Sequence, residues 1–201
     1  MWRHGTGRPR LRAGALAWIL ALVPVSDLVE RVDHAFPIRG HADYARAHHD
    51  YPATDVFADC GSPVVSPVAG TVDEVSRVDR WDPRSDLGRD RGGKSFSIIG
   101  WDGVRYYGSH LSSLRPGLRP GTEVGVGERV GRVGRTGNAR SVSCHLHFGI
   151  SPVCPGRGEW WVRRGVVSPF RVLRQWEAGG NSAPLPAVSR WERKNGCPLG
   201  P

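Results

Sequence analysis

Between Gly121 and Gly137 the chain reads Gly-Thr-Glu-Val-Gly-Val-Gly-Glu-Arg-Val-Gly-Arg-Val-Gly-Arg-Thr-Gly, with valine at regular intervals between the glycines. A helix does not survive glycine at that density, since each one costs about 1 kcal/mol against alanine in a helix interior. Short strands joined by tight bends do survive. Glycine supplies the backbone angles of the bends, and valine supplies branched side chains suited to a pleated surface. The same style extends from Asp55 to about Phe170. Pro63–Val75 reads as two strands around a turn at Ala69-Gly70, and Ser95–Ile99 with Val104–Tyr107 as a hairpin across Trp101-Asp-Gly103. The charged stretch Trp81–Gly93 reads as a surface insertion, and Ser168–Glu177 as a short helix. The expected fold is mainly β: an antiparallel sheet or sheets forming an open groove, with a short C-terminal helix.

The ends of the chain read differently. Met1–Arg12 is rich in arginine, and Ala13–Val25 is a short apolar run, the layout of a secretory signal. The run is shorter than the roughly 20 residues a membrane span needs. The expected organisation is a signal peptide or N-terminal anchor over 1–25, a connecting arm over 26–48, the functional domain over 49–177, and a Pro- and Gly-rich tail over 178–201. Trp191 and Cys197 point to a tail tied back to the body. Export also suits the four cysteines, an even number that reads as two disulfides with three pairings open. The preferred pairing is Cys144–Cys154 with Cys60–Cys197, and Cys60–Cys144 competes with it. No two cysteines have the Cys-x2-Cys spacing of a thiolate metal site. The net charge of +9 is almost entirely arginine. No helix carries it along one face and no aromatics interleave it, so it reads as a solubilising surface and no nucleic-acid partner is expected.

Chemistry-bearing residues concentrate in three segments: His48-His49-Asp50-Tyr51-Pro52-Ala53-Thr54-Asp55, Tyr107-Gly-Ser-His110-Leu111, and Cys144-His145-Leu146-His147-Phe148-Gly149. In the third, Leu146, Phe148 and Ile150 alternate with His145, His147 and Gly149. In a strand of period two, the apolar side chains then face the core and both imidazoles share the other face. A zinc site needs neutral imidazoles and a carboxylate converging from different elements. His145 and His147 supply one edge, and the His49/Asp55 segment supplies a carboxylate and a further imidazole.

These residues resemble a known family. His145-Leu-His147-Phe, preceded by Gly134-Arg-Thr-Gly137, is similar to the "TG…HLHF" block of lysostaphin-type zinc endopeptidases. Tyr107-Gly-Ser-His110-Leu resembles their "Y-x-HL" block, and Asp55–Val72 their "D…GTPV-A…GTV" block, in the family's order. The resemblance implies the lysostaphin-type, duplicated-hybrid-motif-like fold. It also implies one zinc per chain on Asp55, His147 and a histidine upstream of Asp55. That histidine is His49, with His48 as the fallback. His110 and His145 match the two histidines that act on protons and charge. The implied function is hydrolysis of cross-links or stem peptides of bacterial peptidoglycan through a water activated by zinc, outside the cytoplasm, by a monomer not inserted in a membrane unless the N-terminal segment is uncleaved. Tyr44 lies where the family often has a transition-state tyrosine.

Other residues carry plainer expectations. His34 and His41 read as solvent-exposed, Asp50 as a partner that orients a ligand or as a surface residue, and Trp160-Trp161 as packing residues of the rim rather than a substrate wall. Three rival functions follow from the same sequence. A non-enzymatic member of the fold that activates another hydrolase would have lost zinc ligands, and here each position has an occupant. A lipoyl- or biotinyl-carrier hairpin needs a lysine at an exposed tip, and Lys94 and Lys194 lie in a loop and the tail. A Cys144 nucleophile beside His145 fails because neighbours on a strand point to opposite faces.

Overall fold

A computed structural model describes residues 1, 32–46, 48, 51–154 and 160–198. The chain divides into two compact units, 1–31 and 32–201, and the described residues other than Met1 belong to the second. The signal or anchor segment expected over 1–25 lies outside the described residues, Met1 excepted. Among the described residues no helix is long and apolar enough to cross a membrane.

Among the described residues ten strands form in chain order: β1 (Asp43–Tyr44), β2 (Thr54–Phe57), β3 (Pro63–Val65), β4 (Gly70–Ser76), β5 (Ser95–Gly100), β6 (Val104–Ser109), β7 (Ser113–Leu114), β8 (Glu123–Val124), β9 (Arg129–Arg132) and β10 (His145–Pro152). Seven of them make one sheet in the order β1-β2-β10-β6-β5-β4-β8, and three make a second in the order β3-β9-β7. Every pairing is antiparallel. The hairpin read across Trp101-Asp-Gly103 is β5–β6. The two strands read in Pro63–Val75 form, but they do not pair. β3 joins β9 and β4 joins β5, so the segment between them carries the chain from one sheet to the other.

Strand β10 sits between β2 and β6, and all eight of its residues are buried. Leu146, Phe148 and Ile150 pack into the core with Phe96, Ile98 and Tyr106. Burying side chains of this size contributes about 1.5–3 kcal/mol each, which fixes the register. A slip of one residue would turn both imidazoles into that core and the apolar side chains out of it.

Among the described residues three α-helices follow: α1 (Trp160–Arg163), α2 (Phe170–Glu177) and α3 (Leu185–Asn195). The short helix expected over Ser168–Glu177 is α2, which buries Leu173 and Trp176. The tail contains α3, and its end is held by a disulfide from Cys197 to Cys154. Around that bridge Cys154, Val162 and Val166 form a small apolar cluster with Trp191 against it.

Two expectations are corrected. The disulfides are Cys60–Cys144 and Cys154–Cys197, not Cys144–Cys154 and Cys60–Cys197. Cys144 and Cys154 flank an eight-residue strand. A strand of that length spans about 27 Å, whereas bridged cysteines need Cα atoms within roughly 7 Å. The β2–β10 ladder instead brings the ends of those strands together, with the Ala58 amide donating to the Cys144 carbonyl, and leaves Cys60 and Cys144 with Cα atoms 5.3 Å apart. His34 is not solvent-exposed either. Its side chain is 1% exposed and stacks on Trp176 at 5.1 Å. Its ring nitrogens lie 2.9 Å from Asn181 Oδ1 and 3.2 Å from Asp102 Oδ2. Burial opposes its charge, but the bonds to Asp102 and Asn181 outweigh that and raise its pKa. The described arm therefore packs as part of the body, with a bridge at His34–Val68 and another at Ile38–Val64. His41 is exposed, as expected.

Candidate active site

The site is built on two neighbouring strands. In the antiparallel register of β2 and β10, His145 stands opposite Phe57 and His147 opposite Asp55. Thr54 and Val56 are buried on the core side, so Asp55 and Phe57 face outward with the two imidazoles. All four side chains line a cleft of about 420 Å³, together with His48, Tyr51, Arg91, His110 and Arg164 among others.

Within the cleft His147 Nδ1 lies 2.8 Å from Asp55 Oδ1, and His48 Nε2 lies 3.6 Å from Asp55 Oδ2. One ligand atom from each of the three residues falls within 4.8 Å of the others. Neighbouring ligands on a tetrahedral zinc are about 3.3 Å apart, so the spacing fits such an ion. The donor chemistry fits as well. His147 Nε2 lies 3.2 Å from the Arg164 carbonyl, which can only accept. A proton on Nε2 leaves the Nδ1 lone pair facing the carboxylate, an arrangement that a shared cation satisfies. The carboxylate itself is ionised. Burial alone would raise its pKa, but with no metal between them a proton on His147 Nδ1 bonds the carboxylate, and the charge of His147, His145 and His48 acts with it to hold the pKa down to about 2.

His110 and His145 flank this cluster with ring centroids 4.8 Å apart. His110 Nδ1 donates to the Thr136 carbonyl at 2.8 Å, and His145 Nδ1 to the Ser143 carbonyl at 2.8 Å. Because a carbonyl only accepts, each neutral ring carries its proton on Nδ1 and leaves Nε2 with a lone pair. Burial, then the neighbouring His147 and His145, push His110 down to about 3, so it is neutral at pH 7. His110 also has φ +66°, a left-handed backbone angle that is strained for a residue with a Cβ. The strain is held in place on both sides. Its amide donates to the Gly92 carbonyl at 2.9 Å, and its carbonyl accepts from the Thr136 amide at 3.4 Å.

The motif glycines have a geometric reason at two positions. Gly137 has φ +69°, and a Cβ there would sit 2.0 Å from the Arg91 carbonyl oxygen. The Thr136-Gly137 pair thus closes the loop that clamps His110. On β10, a Cβ on Gly149 would meet the Arg164 carbonyl oxygen at 1.9 Å. Its absence lets the segment after α1 approach the strand and place that carbonyl against His147.

Of the residues expected to function, Asp55, His110, His145 and His147 converge in the cleft. His49 and Asp50 lie outside the described residues, and among the described residues His48 is an upstream histidine that reaches Asp55. Tyr44 does not line the cleft; its hydroxyl donates to Glu177 Oε2 at 2.6 Å while its ring packs on Phe36 and Phe170. Trp160 packs on Gly88 and under the Arg164 guanidinium, and Trp161 is exposed. Cys144 is bonded to Cys60, so it offers no nucleophilic thiolate. Sequence reasoning missed Tyr51 and Arg164. The Tyr51 hydroxyl lies 3.1 Å from His147 Nε2, and the Arg164 guanidinium lies over the Tyr51 ring at 4.6 Å. Tyr51 lies inside the His48–Asp55 segment, but its spacing there assigns it no role. Nothing in the sequence around Arg164 marks it.

Comparison with known proteins places this arrangement. The chain is 28% identical over 182 residues to the L-Ala–D-Glu endopeptidase of Bacillus subtilis (strain 168), covering 82% of this chain and 50% of that protein, so it spans about half the length of this relative. The fold resembles a Ruminococcus gnavus protein described as a glycyl-glycine endopeptidase, LytM, with a TM-score of 0.57 and 23% identity over 76% of this chain and 63% of that one. It also resembles the catalytic domain of lysostaphin from Staphylococcus simulans, with a TM-score of 0.51 and 21% identity over 71% of this chain and 99% of that one. At these identities the two structures establish the fold. Residues 49–155, more than half of the chain, match peptidase family M23, and the chain belongs to that family.

Proposed function

We propose that the protein is a zinc-dependent endopeptidase that cleaves peptides of bacterial peptidoglycan outside the cytoplasm, as a monomer with one zinc per chain. The observation that carries this reading is the complete donor set on the cleft floor, Asp55 and His147 with His48 beside them. The third ligand is an imidazole of the His48–His49 pair: His48 is within reach of Asp55, and the family match begins at residue 49. A bound zinc would supply Lewis acidity, polarising a scissile carbonyl and acidifying a water. The chain's own residues do the rest. Asp55 stays ionised across the working pH range. The Arg164 carbonyl holds His147 in one tautomer and orientation. His110 and His145 offer Nε2 lone pairs from opposite Nδ1 anchors, and either can take a proton from the attacking water and pass it to the leaving amine.

The two disulfides support an oxidising compartment. A role as a non-enzymatic activator has no comparable support, because none of the donor positions is vacated. Digestion of defined muropeptides with the zinc-loaded protein, followed by mass spectrometry, tests the reading. New amino termini within stem or bridge peptides are expected. Intact muropeptides alongside a zinc-loaded protein would overturn it.

A further inference from the structure

We propose that Arg164 is a carboxylate-recognition residue beside the metal cleft, and that the substrate is therefore an acidic peptide rather than a neutral glycine bridge. The inference rests on the peptidase reading above and sharpens its substrate class.

Arg164 follows α1 and is held on two sides. Its guanidinium carbon lies 4.6 Å from the Tyr51 ring centroid and 4.4 Å from that of Trp160. Stacking of this kind fixes the plane of a guanidinium without consuming its hydrogen-bond donors. No carboxylate of the described residues pairs with it, and its Nε is buried without a hydrogen-bond partner. Two arginines close to it in the site differ in having a carboxylate partner, although Arg163 Nε is likewise buried without a hydrogen bond. Arg91 is bonded to Asp86, and Arg163 to Glu74. Arg164 is thus a pre-organised, partly buried cation without a carboxylate partner among the described residues.

Its position says where that anion comes from. Arg164 lines both the metal cleft and a neighbouring cleft in which Arg80, Arg89 and Arg163 outnumber the carboxylates of Glu74 and Asp90. Among the described residues Asp55 is the one carboxylate lining the metal cleft, and His147 and His48 engage it. Tyr51 stands between Arg164 and His147, with its ring centroid 5.6 Å from that of His147. An extended peptide crosses such a span in about three residues, so the carboxylate belongs to a residue close to the scissile bond. A planar fork of donors suits a carboxylate held by two parallel bonds, and lysine cannot reproduce it.

The test compares one peptide in two forms, an L-alanyl-D-glutamyl stem peptide with its glutamyl carboxylate either free or amidated. The zinc-loaded wild type is expected to prefer the free acid by about 10–100-fold in kcat/KM, the range of a hydrogen bond to a charged group. In Arg164→Gln the preference is expected to fall to near one, and in Arg164→Lys to an intermediate value. Equal cleavage of both forms by the wild type would overturn the proposal and leave the peptidase reading standing. An equal loss on both forms in Arg164→Gln, with the preference intact, would also overturn it, because the arginine would then be only a brace for Tyr51 and Trp160. Calorimetric binding of both peptides to the zinc-loaded protein keeps the two readings apart. Tight binding of the acid alone, with neither form cleaved, would uphold the anion subsite and defeat the peptidase reading. Equal binding of both would defeat the subsite.

Discussion

The floor of the cleft and its rim are made by different kinds of structure. The floor is two paired strands, and the positions of Asp55, His145 and His147 follow from one antiparallel register. The rim gathers segments far apart in sequence: His48 and Tyr51 before β2, His110 on a strained turn after β6, and Arg164 after α1. A floor of this kind is secured by the core beneath it, since losing the register would bury both imidazoles. The rim has no such ladder. Hydrogen bonds to single carbonyls and ring contacts position it, so small changes there should tune the chemistry while changes in the floor remove it.

The two proton-handling histidines, His145 on the floor and His110 on the rim, should separate turnover from metal binding on both levels. His110→Ala and His145→Ala are expected to keep zinc and lose about 10²–10⁴-fold in turnover, the usual worth of a positioned acid–base group. Metal analysis and kcat on the same preparations check this. Loss of zinc from either would place that histidine among the groups that hold the metal.

A smaller effect is expected at the clamp beside the floor. Cys60–Cys144 ties the ends of β2 and β10 across a sequence separation of 84. Replacing both cysteines with alanine is expected to cost about 2–5 kcal/mol in urea-unfolding stability. A folded protein with unchanged stability would show that the β2–β10 ladder needs no clamp.

The smallest effect belongs to a rim hydroxyl. Tyr51→Phe removes the group 3.1 Å from His147 Nε2. Zinc affinity is expected to fall about tenfold, the lower end for a partner of a metal-ligating histidine. A competition titration with a chelator measures it. A fall as large as that from removing His147 itself would place Tyr51 among the floor residues.

This division also explains what the sequence made legible. The alternation His145-Leu146-His147-Phe148 announced a strand with a polar face, and β10 is that strand. The glycine–valine run announced short strands, and β8 and β9 lie within it. The resemblance of three blocks to lysostaphin-type peptidases pointed to Asp55, His110, His145 and His147, which share the cleft. Local pattern could not supply partners made by distant packing. The disulfides depended on which strands lie side by side, and strand order is not written in alternation. His34 looked like arm because no motif surrounds it; Trp176 and Asp102 bury it from other elements. Arg164 gained its place from Gly149, where the missing side chain admits the segment after α1.

The floor itself is tested most directly by zinc content, measured by atomic emission on the purified wild type and on His48→Ala, His49→Ala, Asp55→Ala and His147→Ala. One zinc per chain is expected in the wild type. Near-complete loss is expected in Asp55→Ala and His147→Ala, and in one of the two upstream histidine variants. Full zinc in a folded Asp55→Ala or His147→Ala protein would contradict the assignment of the metal to the β2–β10 floor.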